Sequence, residues 1–224
     1  MKEIKLYNWT SELAYAVGLI TTDGSLSKDG RHITLVSSDL QLLRTFRKCL
    51  KLKNRITKKA FGSYTVKQPY KITFGNVSLY KWLQKIGLTP NKTFTLGKLA
   101  IPKDYLADFL RGYLDGDGSV FTYIDRYMEY KGKRYTYERL YTVLCSASIN
   151  HLKWIRSNLK EILNIEGDLN SYLRKDRKFP NWKLRFAKKD SLKLLRWLYY
   201  KPRLPCLNRK RKIVERVIKI FRDQ

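Results

Sequence analysis

Two aspartates, Asp23 and Asp117, hold the same place in two similar stretches, GLITTDGSL (Gly18–Leu26) and GYLDGDGSV (Gly112–Val120). Each stretch ends an apolar run with Asp-Gly. A single Asp-Gly pair needs no more than a turn, because glycine supplies the left-handed cap and aspartate tolerates it. A duplicated pair asks for more. Gly18 and Gly112 lie five residues before the acids, inside the apolar helix, where glycine costs about 1 kcal/mol relative to alanine. Small residues there let two helices meet backbone to backbone. Their C-terminal ends then bring Asp23 and Asp117 side by side, against each other's charge and the negative ends of both helix dipoles. Structure alone does not favour that arrangement. Divalent cations do, and carboxylate-held metal can activate water for phosphodiester hydrolysis.

The rest of the composition narrows the metal and the substrate. Only His32 and His151 offer imidazoles, and Cys49, Cys145 and Cys206 stand far apart, so a zinc site and a disulfide framework are both excluded. The expected ion is hard and oxygen-bound, Mg²⁺ with Mn²⁺ as a substitute. In 224 residues there are 47 Lys+Arg against 19 Asp+Glu, a net charge of +28. Such a balance calls for a polyanionic partner, nucleic acid before anionic lipid. The 13% aromatic content, including 16 tyrosines, supplies core and stacking material that a disordered basic tail lacks. LAYAVGLI is too short for a membrane span and has no small-residue cleavage site after it. A soluble intracellular protein is expected, cytoplasmic or in an organellar matrix, neither secreted nor membrane-bound.

The repeat extends beyond the acids. TLVSSDLQLLRTFRKCL (Thr34–Leu50) resembles VLCSASINHLKWIRSNL (Val143–Leu159), and KITFGNVSLYKWL resembles KLRFAKKDSLKLLRWL. The extra residues of the second copy fall in DRYMEYKGKRYTYERL, a polar stretch that reads as a long hairpin, and gene duplication explains the pattern. Each copy reads as helix, two strands, helix, two strands, helix. Thr10 or Ser11 caps the first helix, expected through Ile20; Leu42, Leu43, Phe46 and Leu50 mark the next; a helix near Ser191 to Tyr199 closes the second copy. A basic helix follows from about Lys210, and the proline-containing TPNKTFTLGKLAIPK is the linker. The domain division expected is 1–98 and 99–224.

Strand alternation separates an apolar face from a basic one. In NWKLRFA, Trp182, Leu184 and Phe186 oppose Asn181, Lys183 and Arg185. His32 and Thr34 oppose Ile33 and Leu35. Arg55, Thr57 and Lys59 share a face, as do Tyr172 and Arg174, and Arg139 and Tyr141 belong to the same candidate surface. Helices packed on the apolar side leave the other side open to hydrogen-bond with nucleic acid.

AVGLITTDG and LRGYLDGDG, with the longer ADFLRGYLDGDGSV, resemble the two signature helices of single-chain LAGLIDADG homing endonucleases. The resemblance covers nearly the whole chain. It implies an α+β fold of two pseudo-symmetric αββαββα halves, with the signature helices at their interface and two antiparallel sheets forming a saddle in the DNA major groove. It implies that Asp23 and Asp117 bind divalent metal, with the carbonyls of Thr22 and Gly116 beside them, in a monomer that cuts both strands of a long asymmetric site and leaves short 3′ overhangs. Lys92 in TPNKTF and Lys210 in PCLNRKRK match the family's basic residue near each active site. Lysines there can stabilise phosphorane charge or the nucleophilic water. The alternative is plain phosphate contact, since KPRLPCLNRKRK holds six basic residues and no acid. Thr21 departs from the acid often found in the first motif, where the second copy keeps Asp115. Asp39 and Ser148 match positions at which family members often orient water. The competing reading of the scaffold is an RNA-binding maturase for a host intron. Two intact acids in a basic protein favour the nuclease.

Overall fold

A computed structural model of the chain describes residues 7–61, 67–130, 132–173 and 179–221. The first half runs α1 (Ser11–Thr22), β1 (Gly24–Leu26), β2 (His32–Ser37), α2 (Leu40–Cys49), β3 (Thr57–Lys58), β4 (Tyr70–Gly75) and α3 (Val77–Lys85). The second repeats the order: α4 (Leu106–Asp117), β5 (Gly118–Tyr130), β6 (Lys133–Ser146), α5 (Ile149–Leu163), β7 (Asp168–Tyr172), β8 (Asn181–Phe186) and α6 (Lys188–Leu198). The basic helix α7 (Asn208–Ile220) follows. Each half builds one antiparallel four-stranded sheet, ordered β1-β2-β4-β3 and β5-β6-β8-β7. The two orders are the same, as a duplicated unit requires.

Local chemistry sets the helix ends. Thr10 Oγ1 accepts from the Leu13 N–H at 3.1 Å to open α1, and Asp39 and Asn76 open α2 and α3 in the same way. Asn164, at a left-handed φ of 48°, closes α5. Inward residues of the first sheet, Ile33, Leu35, Ile72 and Phe74, are buried together with Leu42, Leu43 and Phe46 of α2. Leu140, Leu144, Leu184 and Phe186 do the same in the second half with Leu152, Ile155 and Leu159 of α5.

The halves meet where α1 crosses α4, and glycine makes the crossing possible. A Cβ on Gly18 would lie 2.2 Å from the Phe109 carbonyl oxygen, and one on Gly112 would lie 2.2 Å from that of Tyr15. Both obstacles are backbone, so neither can swing away. We therefore expect Gly112→Ala to cost about 2–3 kcal/mol through overpacking. For a chain of this size that is a fall in Tm of about 5–10 °C, measurable by thermal melting. An unchanged Tm would show that the helices separate more easily than their contact implies.

Three features depart from the expectations. Helix α1 continues past Ile20 to Thr22, so Asp23 is its C-cap, and Asp117 is the last residue of α4. Helix α6 starts before Ser191, whose buried hydroxyl donates to the Phe186 carbonyl and accepts from the Thr142 N–H, a sheet-to-helix tie that no local pattern encodes. The stretch holding Arg55, Thr57 and Lys59 pairs only at Thr57 and Lys58, so β3 has 2 residues among the described ones, against 6 each in β2 and β4 and 13 and 14 in β5 and β6. The long hairpin of the second copy is present as expected. Among the described residues no helix is long and apolar enough to cross a membrane.

Candidate active site and nucleic-acid surface

The close crossing of α1 and α4 brings their C-terminal ends together. A Cβ on Gly116 would lie 2.0 Å from Thr22 Oγ1 and 2.9 Å from Asp23 Oδ2, so the first acid lies over the backbone of the second motif. Burial, and then the charge of Asp117, push the Asp23 carboxyl up to about 7, against the pull of Lys210 and Lys92. Asp117 is the more open residue, yet protein crowded around its carboxyl raises it too. Thr22 and Gly116 sit beside the acids, at helix ends where the last carbonyls lack intrahelical partners.

Lys92 and Lys210 both lie near the two acids. They are 8% and 4% exposed, buried far beyond the usual lysine. The Lys92 ammonium donates to the Gly24 carbonyl, just past α1. That of Lys210 donates to the carbonyls of Leu114, of Asp115 at 2.9 Å and of Gly118 at 2.7 Å, around the end of α4. Burial lowers each to about 8, while Asp23 and Asp117 act to raise both. Lys210 thus caps the negative end of α4, and Lys92 lies just beyond the end of α1.

Asp115 has a different task. It is 2% exposed, and its Oδ2 accepts from the Tyr15 hydroxyl at 2.8 Å and the Leu207 N–H at 2.6 Å. Burial raises it to about 6, opposed by Lys210. Its counterpart Thr21 turns its hydroxyl back to the Val17 carbonyl of its own helix. Neither residue reaches the paired acids by a hydrogen bond. Asp39 and Ser148 are also occupied. Asp39 caps α2 and accepts from Arg209 at 3.3 Å, and the Ser148 hydroxyl donates to the Leu96 carbonyl at 2.5 Å.

The paired acids fit a hard cation. Among the described residues no group of three or more His, Cys, Asp and Glu converges, so no closed protein cage exists. Two carboxylates with backbone carbonyls beside them would offer oxygen donors alone and leave positions for water and phosphate, which suits Mg²⁺ rather than Zn²⁺.

Strand register shows which of the candidate surface residues share a sheet face. Register places Thr34 against Thr73, with hydroxyls 2.9 Å apart, and Thr57 against Lys71. His32 shares that face, its Nδ1 2.5 Å from Asp29 Oδ2. Arg55 and Lys59 are exposed and flank the short β3 rather than lying within it. In the second sheet Arg139, Tyr141, Tyr172, Asn181, Lys183 and Arg185 share one face. Arg185 lies over the Tyr141 ring at 5.2 Å, Lys183 over that of Tyr172 at 3.8 Å, and Arg139 pairs with Asp125 at 3.0 Å. Arg174 lies outside the described residues. Phe121 and Tyr123 join this face and were not anticipated, although their alternation in SVFTYID could have shown them.

Residues 11–87 match the family described as LAGLIDADG-like domain. The I-LtrWI LAGLIDADG homing endonuclease, solved bound to target DNA, superposes with a TM-score of 0.58 at 15% identity, covering 96% of this chain and 91% of that one. The chain has the LAGLIDADG fold, with two motifs. The meganuclease I-SmaMI, solved on uncleavable DNA, gives a TM-score of 0.60 at 12% identity over 96% and 93% of the two chains. DUF199/WhiA from Thermatoga maritima gives 0.52 at 16% identity over 97% of this chain, which spans 63% of that longer protein. Comparison with curated proteins finds no match. LAGLIDADG architecture accounts for the two sheets, the crossed helices and the paired acids together.

Proposed function

We propose that this two-motif LAGLIDADG protein is a site-specific DNA endonuclease, a monomer that hydrolyses both strands of a long asymmetric site and acts in intron homing. One observation carries the reading. Asp23 and Asp117 are held together at crossed helix ends, between two buried lysines, in a chain whose net charge is +28. A protein that only binds nucleic acid gains nothing from forcing two carboxylates together.

In this reading Asp23 and Asp117, with the carbonyls of Thr22 and Gly116, hold Mg²⁺ (or Mn²⁺), and the open faces of the two sheets lie in the major groove. When bound, the cation activates water and stabilises the leaving oxygen. The two sheets position the duplex so that the scissile phosphates reach the helix ends and the cuts leave short 3′ overhangs. Lys92 and Lys210 present ammonium protons to charge building on phosphate. The second half, with its long β5–β6 hairpin, reaches further along the DNA than the first. At 3.3 Å per residue its strands span about 45 Å.

Cleavage of plasmid libraries in Mg²⁺, with Ca²⁺ as control, tests the proposal. One preferred site, longer on one side of the cut, is the expected result; binding without cutting in either Mg²⁺ or Mn²⁺ would leave a DNA-binding protein and overturn the proposal. The lysines carry their own test. Lys92→Met or Lys210→Met should slow single-turnover cleavage at least about tenfold with little change in affinity. A residue that merely contacts phosphate would instead weaken binding and reduce the salt slope by about one.

A further inference from the structure

The two lysine-bearing segments are fastened in a way that duplication alone does not require. Lys92 follows α3 in the first half, but its segment is tied to the second. Ser148 Oγ donates to the Leu96 carbonyl at 2.5 Å, and His151 Nδ1 lies 2.8 Å from the Gly97 carbonyl. Leu96 and Thr95 are bonded back to the Lys92 carbonyl at 2.9 and 3.1 Å, so the tie reaches Lys92 through one tight turn. Lys210 follows α6 in the second half, but its segment is tied to the first. The Gln41 amide donates to the Cys206 carbonyl at 2.9 Å and accepts from the Asn208 N–H at 2.8 Å, while Arg209 pairs with Asp39. Lys210 lies in the first turn of the helix that Asn208 begins.

The anchors are the matching ends of matching helices, the N-termini of α2 and α5. Even their lead-in bonds correspond: the Asp39 N–H donates to Ser37 Oγ, and the Ser148 N–H to Ser146 Oγ. Ser148 sits at the N-cap of α5 yet makes no capping bond. A serine there normally stabilises its own helix. This one turns to the strap instead.

From this geometry we infer that the halves are joined by reciprocal latches, in which Gln41 of the first half positions Lys210 and Ser148 with His151 of the second positions Lys92. The ammonium of each lysine bonds to carbonyls of its own half, while the segment that carries it is fastened to the other. Disturbing one latch therefore loosens one lysine and leaves the other in place. The inference rests on the nuclease reading only for its effect on cleavage; the positioning itself does not depend on it.

Lysine acetylation of the intact protein, read site by site by mass spectrometry, tests the latches without DNA or metal. Removal of the two Gln41 bonds in Gln41→Ala should raise the labelling rate of Lys210 about tenfold with Lys92 unchanged, and Ser148→Ala should do the reverse. Gln41→Glu keeps the acceptor for Asn208 and loses the donor to Cys206, so it should fall between. Circular dichroism establishes that each variant is folded. If both lysines respond together, or neither does, the latches are general adhesion between halves and the inference fails. On DNA, the two Ala variants should accumulate nicks on opposite strands; equal slowing of both strands by either variant would also overturn it. Selective labelling in a protein that never cuts would uphold the latches and reject the nuclease.

Discussion

Asp23→Asn and Asp117→Asn should each lower cleavage by about three orders of magnitude or more while DNA binding survives. Asparagine keeps the shape that the close approach to Gly116 demands and removes one negative charge from the donor set. Binding should hold or tighten without metal, because a carboxylate near phosphate is repulsive. Loss of activity through misfolding predicts something different for stability. The folded-state pKa of Asp23 is about 7 against an ordinary 3.8. A carboxyl raised in the folded state contributes stability at low pH and loses it as pH rises through about 7. Asp23→Asn should therefore melt higher than the parent at pH 8, by about 5 °C, and show no gain at pH 4. A variant that is more stable, binds its site and does not cut would place the acid in the chemistry. Cutting at the parental rate would reduce Asp23 and Asp117 to helix-end residues.

The elements around this site were legible because each rests on local periodicity. The alternation of His32, Ile33, Thr34 and Leu35 and the helical spacing of Leu42, Leu43 and Phe46 both hold. The duplicated glycines told most, since their cost inside a helix had one economical explanation and the crossing bears it out. Long-range polar bonding was not legible. Asp115 looks like a second acid of the motif, but Tyr15 and the Leu207 N–H hold it as an internal acceptor. Arg111 shows no role in the sequence, yet it is fully buried and bonded to Asp108 and to the carbonyls of Leu198 and Pro205. Asp39 and Ser148 sit where expected and bond to partners many residues away. Such pairings join residues far apart in the chain, some within the second half and some across the two halves, and no single stretch of chain encodes them. The strand carrying Arg55, Thr57 and Lys59 came out shorter for the opposite reason: those residues alternate, but of that stretch only Thr57 and Lys58 pair with β4.

Cleavage should follow a bell in pH whose acid side moves with metal concentration. Asp23 must lose its proton to act as a ligand, and at about 7 in the free protein it does so unusually late. Lys92 and Lys210, lowered to about 8, lose their charge early on the alkaline side. At limiting Mg²⁺ the rate should therefore climb through pH 7 and decline above 8, with the acid side falling about tenfold per pH unit. Metal binds only the ionised carboxylate, so raising Mg²⁺ shifts that equilibrium and carries the acid limb to lower pH. At pH 5.5, moving from limiting to saturating Mg²⁺ should raise the rate by more than about tenfold, whereas at pH 8 the same change should matter less. The alkaline limb belongs to the lysines and should move less, also toward lower pH, because a cation on the acids offsets the negative charge that raises both lysines. Single-turnover rates over pH at two Mg²⁺ concentrations decide the matter. An acid limb that does not move would mean that Asp23 is ionised independently of metal, and the paired carboxylates would then lose their part in holding it.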